Sequence, residues 1–134
     1  MAKITDIEGI GDSYAEKLAA ANVKTTDALL EMGATPAGRK KIAADTGIGD
    51  SLISRWVNHA DLFRIKGVAG EYAELLEAAG VDTVVELAQR RADNLCAKME
   101  AVNTEKKLVR ALPSESQVSE WVVQAKTLPR KLTY

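Results

Sequence analysis

The feature that most constrains this chain is a short turn written twice. Ile7-Glu8-Gly9-Ile10-Gly11-Asp12-Ser13-Tyr14-Ala15-Glu16-Lys17-Leu18 is answered 58 positions later by Ile65-Lys66-Gly67-Val68-Ala69-Gly70-Glu71-Tyr72-Ala73-Glu74-Leu75-Leu76. Glycine, tyrosine, alanine, glutamate and leucine recur in matching places. A Gly-apolar-Gly spacing followed by alanine and leucine at helical intervals encodes a tight turn that feeds directly into a helix. Glycine supplies the positive φ of such a turn and lets another backbone come close. The amides at the helix start have no partner within the helix and lie at the positive end of its dipole, so a phosphate oxygen suits them.

This is the pattern of a helix-hairpin-helix motif, and the rest of the chain extends it. The helix opened by Gly11 carries Tyr14 and Leu18 on one face and ends near Asn22. Thr25 is the expected cap of a helix over Thr26 to Met32, and Thr35-Pro36 that of another reaching about Asp45. Gly47-Ile48-Gly49 repeats the turn before a helix from Ser51 to Asp61 with Leu52, Ile53, Trp56 and Val57 as its stripe. In the second half Thr83 to Glu86 reads as a capping box, and Asp93 as the cap of a helix running to about Val102. A fourth turn has degenerated to Leu112-Pro113-Ser114, with Ser114 capping the last helix and Gln117 three residues on. Trp121 matches Trp56 at an offset of 65. The expected fold is all-α, a duplicated tandem helix-hairpin-helix (SAM-like) bundle of roughly eight to ten short helices. Residues 1–61 would form the first unit, with two hairpins, and residues 62–134 the second, packed against it.

Composition narrows the function classes. The 134 residues are 46% hydrophobic but only 4% aromatic, which favours close helix packing over a β-sandwich. No apolar run is long enough for a membrane span, and the first residues lack the apolar core of a signal peptide, so a cytoplasmic, non-membrane protein is expected. One cysteine, Cys96, and one histidine, His59, cannot build a His/Cys zinc cluster, and neither a cofactor nor a metal is expected. Cys96 reads as a small helix residue, His59 as a surface histidine, and Tyr14, Tyr72, Trp56 and Trp121 as core. The net charge of -1 is unlike the basic footprint of a dedicated DNA-binding domain. Through Asp61 there are seven Lys or Arg against nine Asp or Glu, and eleven against ten thereafter.

Three turns are therefore the candidate contacts with nucleic acid: Gly9, Ile10 and Gly11; Gly47, Ile48 and Gly49; and Gly67, Val68 and Gly70. Arg55, Arg64 and Lys66 would add local positive charge. Asp12 and Asp50 follow the first two turns and compete with an incoming phosphate, whereas the Gly67 turn is flanked by Arg64 and Lys66, which makes it the favoured site. Such contacts hold a DNA backbone, duplex or branched, without reading its sequence. The leading expectation is a non-enzymatic DNA-binding module. The main alternative is a protein-interaction adaptor that keeps the fold without the DNA, and a nucleic-acid enzyme comes third, since no catalytic constellation is evident.

Ile7 to Gly11, Ala34-Thr35-Pro36-Ala37-Gly38-Arg39, Trp56 to Leu62 and Leu128 to Tyr134 together resemble a bacterial family of tandem helix-hairpin-helix proteins catalogued as a domain of unknown function. The resemblance covers nearly the whole chain and implies an all-helical fold with paired hairpins, but no activity. DNA glycosylases of the wider superfamily add a Gly/Pro-rich loop and a catalytic Asp after the hairpin. No such segment follows Gly11, Gly49 or Gly70, and that chemistry is not carried over.

Overall fold

The computed structural model describes residues 2–134. Among them are one short 3-10 turn, Ile4–Asp6, and eight α-helices, with no strand beyond an isolated Lys3 to Thr25 bridge. The helices are α1 (Asp12–Ala20), α2 (Thr26–Met32), α3 (Pro36–Thr46), α4 (Asp50–Leu62), α5 (Gly70–Ala78), α6 (Val84–Ala88), α7 (Ala92–Lys106) and α8 (Glu115–Thr127). No described helix is long and apolar enough to cross a membrane.

Side-chain caps explain the starts of α2, α3, α6 and α8. Thr25 Oγ1 accepts from the Ala28 amide at 3.0 Å and Thr35 Oγ1 from the Gly38 amide at 3.1 Å, with Pro36 preset at the first helical position. Ser114 and Gln117 form the expected reciprocal capping box on α8. Three sequence expectations are corrected. Asp93 does not cap α7, because the helix begins one residue before it and Arg91 occupies the cap; Asp93 instead accepts from the Asn94 amide at 2.7 Å and from the Arg91 guanidinium. Helix α7 also runs to Lys106, beyond Val102. At Thr83 the capping box is only half present: the hydroxyl meets the Glu86 amide at 3.4 Å, but the Glu86 carboxylate accepts from Asp82, one residue earlier.

The chain divides into two compact units, Met1–Asp61 with Lys131–Tyr134, and Leu62–Arg130. The last four residues thus belong with the first unit, where sequence alone grouped them with the second. The first unit buries Ile7, Ile10, Leu18, Leu29, Ile42, Ile48, Ile53, Trp56 and Val57. The second builds its core from Ile65, Val68, Leu75, Leu76, Leu87, Leu95, Met99, Val118 and Trp121, with α6 and α7 packed on α8 and α5 on α7. Each fully buried aliphatic side chain contributes about 1.5–3 kcal/mol. That makes burial, not intrinsic helix propensity, the main support for helices as short as α6.

Candidate nucleic-acid interface

In the first unit, residues Ile7 to Ile10 close a turn through the Ile10 amide donating to the Ile7 carbonyl at 3.2 Å. Gly9 has φ +96°, a conformation that side-chain-bearing residues resist. Ile7 and Ile10 plug the turn into the core, and the Trp56 indole lies beneath Gly9, its Nε1 3.5 Å from where a Cβ would stand. Tyr14 packs edge-on against the same indole with ring centroids 5.1 Å apart. The turn is thus held from below by an aromatic pair, and α1 leaves it at a fixed place.

The second unit has the same arrangement. Val68 donates to the Ile65 carbonyl at 3.1 Å, Gly67 has φ +95°, and Trp121 Nε1 lies 2.9 Å from a Cβ placed on Gly67. Tyr72 and Trp121 are 5.4 Å apart. The main chain at Lys66, however, is already bracketed: its amide donates to Gln124 Oε1 at 2.9 Å and its carbonyl accepts from Gln124 Nε2 at 3.2 Å. The Arg64 guanidinium is half-buried and donates to the Pro129 carbonyl at 2.8 Å. Only Lys66 of the two flanking cations presents an exposed side chain.

The glycines sort into two kinds. Gly9, Gly47 and Gly67 have positive φ, so the turns themselves demand them. Gly11 does not: its φ of -88° and ψ of -174° are ordinary extended backbone, and an added Cβ would meet nothing within 4 Å. Gly49 has equally open space and no positive φ. Both are exposed, and both stand immediately before a helix, Gly49 accepting the Ile53 amide at 3.2 Å. No side chain caps α1 at Gly11 or α5 at Ala69, in contrast to the Thr and Ser caps of α2, α3, α6 and α8. Ala69 and the buried Gly70 occupy the second unit's counterparts of Gly11 and Asp12.

Not every amide in the three turns is available. Ile10 and Val68 spend theirs on turn closure, and Ile48 donates to Thr46 Oγ1 at 3.2 Å. These three apolar residues anchor the turns, with relative exposures of 4–5%. Gly47 closes α3 in the left-handed conformation, its amide on the Ala43 carbonyl at 2.9 Å. Around it lies a shallow hollow lined by Lys40, Ala43, Ala44, Gly47, Ile48, Gly49 and Asp50. Lys40, which sequence reasoning passed over, brings an exposed ammonium there because α3 turns one face toward its own C-terminal hairpin. Arg55 is half-buried on α4.

His59 corrects the sequence reading most sharply. It is completely buried, because the α4 face bearing Trp56 and Ala60 points inward and takes His59 with it. Tyr14 and Tyr72 are only half-buried, with Trp56 and Trp121 beneath them. Partial burial, reinforced by Glu86 and Glu77, raises the Asp82 carboxyl above its ordinary range, and burial raises the Cys96 thiol. Hydrogen bonds from the Asn94 amide and the Arg91 guanidinium lower Asp93. Among the described residues no group of three or more His, Cys, Asp or Glu side chains is placed to hold a metal ion.

Helices alone, in two compact units each with a glycine turn set over an indole, define an all-α protein. The chain belongs to the family described as Domain of unknown function (DUF4332), whose model matches residues 8–128. Comparison with curated proteins and with solved structures gave no match.

Proposed function

We propose that the two units are copies of one tandem helix-hairpin-helix unit, and that the protein is a non-enzymatic module binding the DNA backbone without sequence preference. The duplication is supported by the paired Gly-over-Trp turns and by the Tyr-Trp pairs at 5.1 and 5.4 Å. The DNA reading rests above all on Gly11, with Gly49 beside it as a second case. Neither backbone conformation nor neighbouring atoms call for glycine there. What a missing side chain still offers is room for another molecule's backbone to reach the helix-start amides. A phosphate oxygen fits those amides because the helix dipole favours negative charge and no protein side chain caps α1.

The first unit is the better contact surface. Its hollow beside Gly47 to Gly49 includes the exposed Lys40. In the second unit the Lys66 amide is spent on Gln124, and Ala69 stands at the position of Gly11. Asp12 and Asp50 remain exposed at the starts of α1 and α4 and limit affinity, the same feature that favours a protein partner as the second reading. Fluorescence anisotropy with duplex, nicked and junction DNA at low salt should show binding that weakens as salt rises. Absence of binding to all three would overturn the DNA reading and leave the adaptor.

A further inference from the structure

The segment Lys131–Tyr134 lies on the first unit as a bound peptide does. Leu132 is buried to 4% relative exposure. The Thr133 amide donates to the Ala34 carbonyl at 2.8 Å, and the Thr133 carbonyl accepts from Arg39 Nη2 at 2.6 Å. Arg39 is 8% exposed; its Nη1 donates to the Gly33 carbonyl at 2.8 Å, and its guanidinium lies 4.7 Å from the centre of the Tyr134 ring. The Tyr134 hydroxyl reaches Asn58 Oδ1.

Arg39 is the informative residue. A guanidinium removed from water is costly unless its donors are matched, and here they are matched by two main-chain carbonyls and an aromatic face. Thr133 and Tyr134 supply two of those three partners. The cleft therefore holds an apolar-Thr-aromatic segment by burying its leucine, by two hydrogen bonds to the Thr133 main chain and by the Arg39 contact with the Tyr134 ring, which is how extended peptides are recognised. Only Arg130 and Lys131 separate Leu132 from the Pro129 carbonyl held by Arg64. A segment joined by a short connector can be exchanged between copies, each cleft taking the other copy's segment.

We propose that the Arg39 cleft is a peptide-recognition site whose partner is the Leu132-Thr133-Tyr134 segment of a second copy of this chain. Exchange keeps every contact that the segment makes with the cleft and substitutes one copy's segment for the other's, so the dimer it forms is reciprocal. The inference does not depend on DNA binding.

The test uses the full chain carrying Leu132→Asp, which disables its own segment, and a fluorescent Arg-Lys-Leu-Thr-Tyr peptide. The peptide should bind this variant at least tenfold more tightly than the unsubstituted chain, and Arg39→Ala added to the variant should remove the binding. Sedimentation should show the unsubstituted chain passing from monomer to dimer as concentration rises, and Leu132→Asp should stay monomeric. If Leu132→Asp loses its folded circular-dichroism signature, Tyr134→Ala replaces it in both measurements. Failure of the folded variant to bind the peptide overturns the recognition site. Peptide binding with a strictly monomeric unsubstituted chain overturns the second copy as partner.

Discussion

Gly9 and Gly67 sit in turns of one shape, at φ +96° and +95°, yet two residues further on the units diverge to Gly11 and Ala69. What the turn geometry requires is kept in both units: a positive-φ glycine, an indole beneath it and a tyrosine against the indole. What the geometry does not require differs. The same holds at the helix ends. Left-handed backbone closes α3 at Gly47 but α7 at Lys107, with φ +71° and +53°, and follows α1 at Asn22 but α5 at Gly80, with φ +67° and +95°. The second unit tolerates a strained lysine where the first has glycine, and the first tolerates asparagine where the second has glycine.

The largest effects should come from the indoles. Trp56→Ala and Trp121→Ala should each cost about 3–5 kcal/mol, the usual range for a buried aromatic, read by chemical denaturation. If one costs much less, the two turns are not held alike. Next come the turn glycines. Gly67→Ala should cost roughly 2–3 kcal/mol and Gly9→Ala about 1–2, since both force a side chain into positive φ but only at Gly67 would the Cβ fall 2.9 Å from an indole nitrogen. Equal losses would mean that backbone strain alone decides. Lys107→Gly should stabilise the chain by about 1 kcal/mol through relief of the left-handed conformation, and Asn22→Gly by a few tenths, because asparagine accepts that conformation more readily.

The smallest effect belongs to Asp82. Its folded-state carboxyl titrates above the unfolded value, so the stability it contributes is fully present below its ordinary range near 3.8 and is lost as pH rises through the raised value. Asp82→Asn should therefore raise the melting temperature slightly at pH 7, and the gain should vanish below the ordinary Asp range. A gain that persists in acid would contradict burial of the Asp82 charge, reinforced by Glu86 and Glu77, as its cause.

Several helix starts were legible because the chemistry is local. Thr25, Thr35 and Ser114 each meet an amide three residues ahead, and a hydroxyl at that spacing is visible in the sequence. Asp93 misled because a carboxylate satisfies a nearby amide just as well from inside the first turn as from the cap. His59 was illegible as a buried residue, since its burial depends on which way α4 faces. The same is true of Arg39, whose partner Thr133 lies 94 residues away, and of Gln124, which brackets Lys66 across 58. The glycines marked the turns, but the sequence could not separate those needed for φ from those that are not. Backbone conformation does that: φ is positive at Gly9, Gly47 and Gly67 but not at Gly11 or Gly49, where an added Cβ would also find open space.

The most direct test pairs Gly11 with Gly9 in thermal unfolding and DNA anisotropy. Gly11→Ser adds a hydroxyl at a helix start with room for it, so the melting temperature should hold or rise slightly, while DNA affinity should fall about tenfold as the new cap occupies the amides. Gly9→Ser should unfold earlier and lose affinity only in step with that instability. DNA binding undiminished in Gly11→Ser would contradict the claim that this glycine is kept for a partner's backbone.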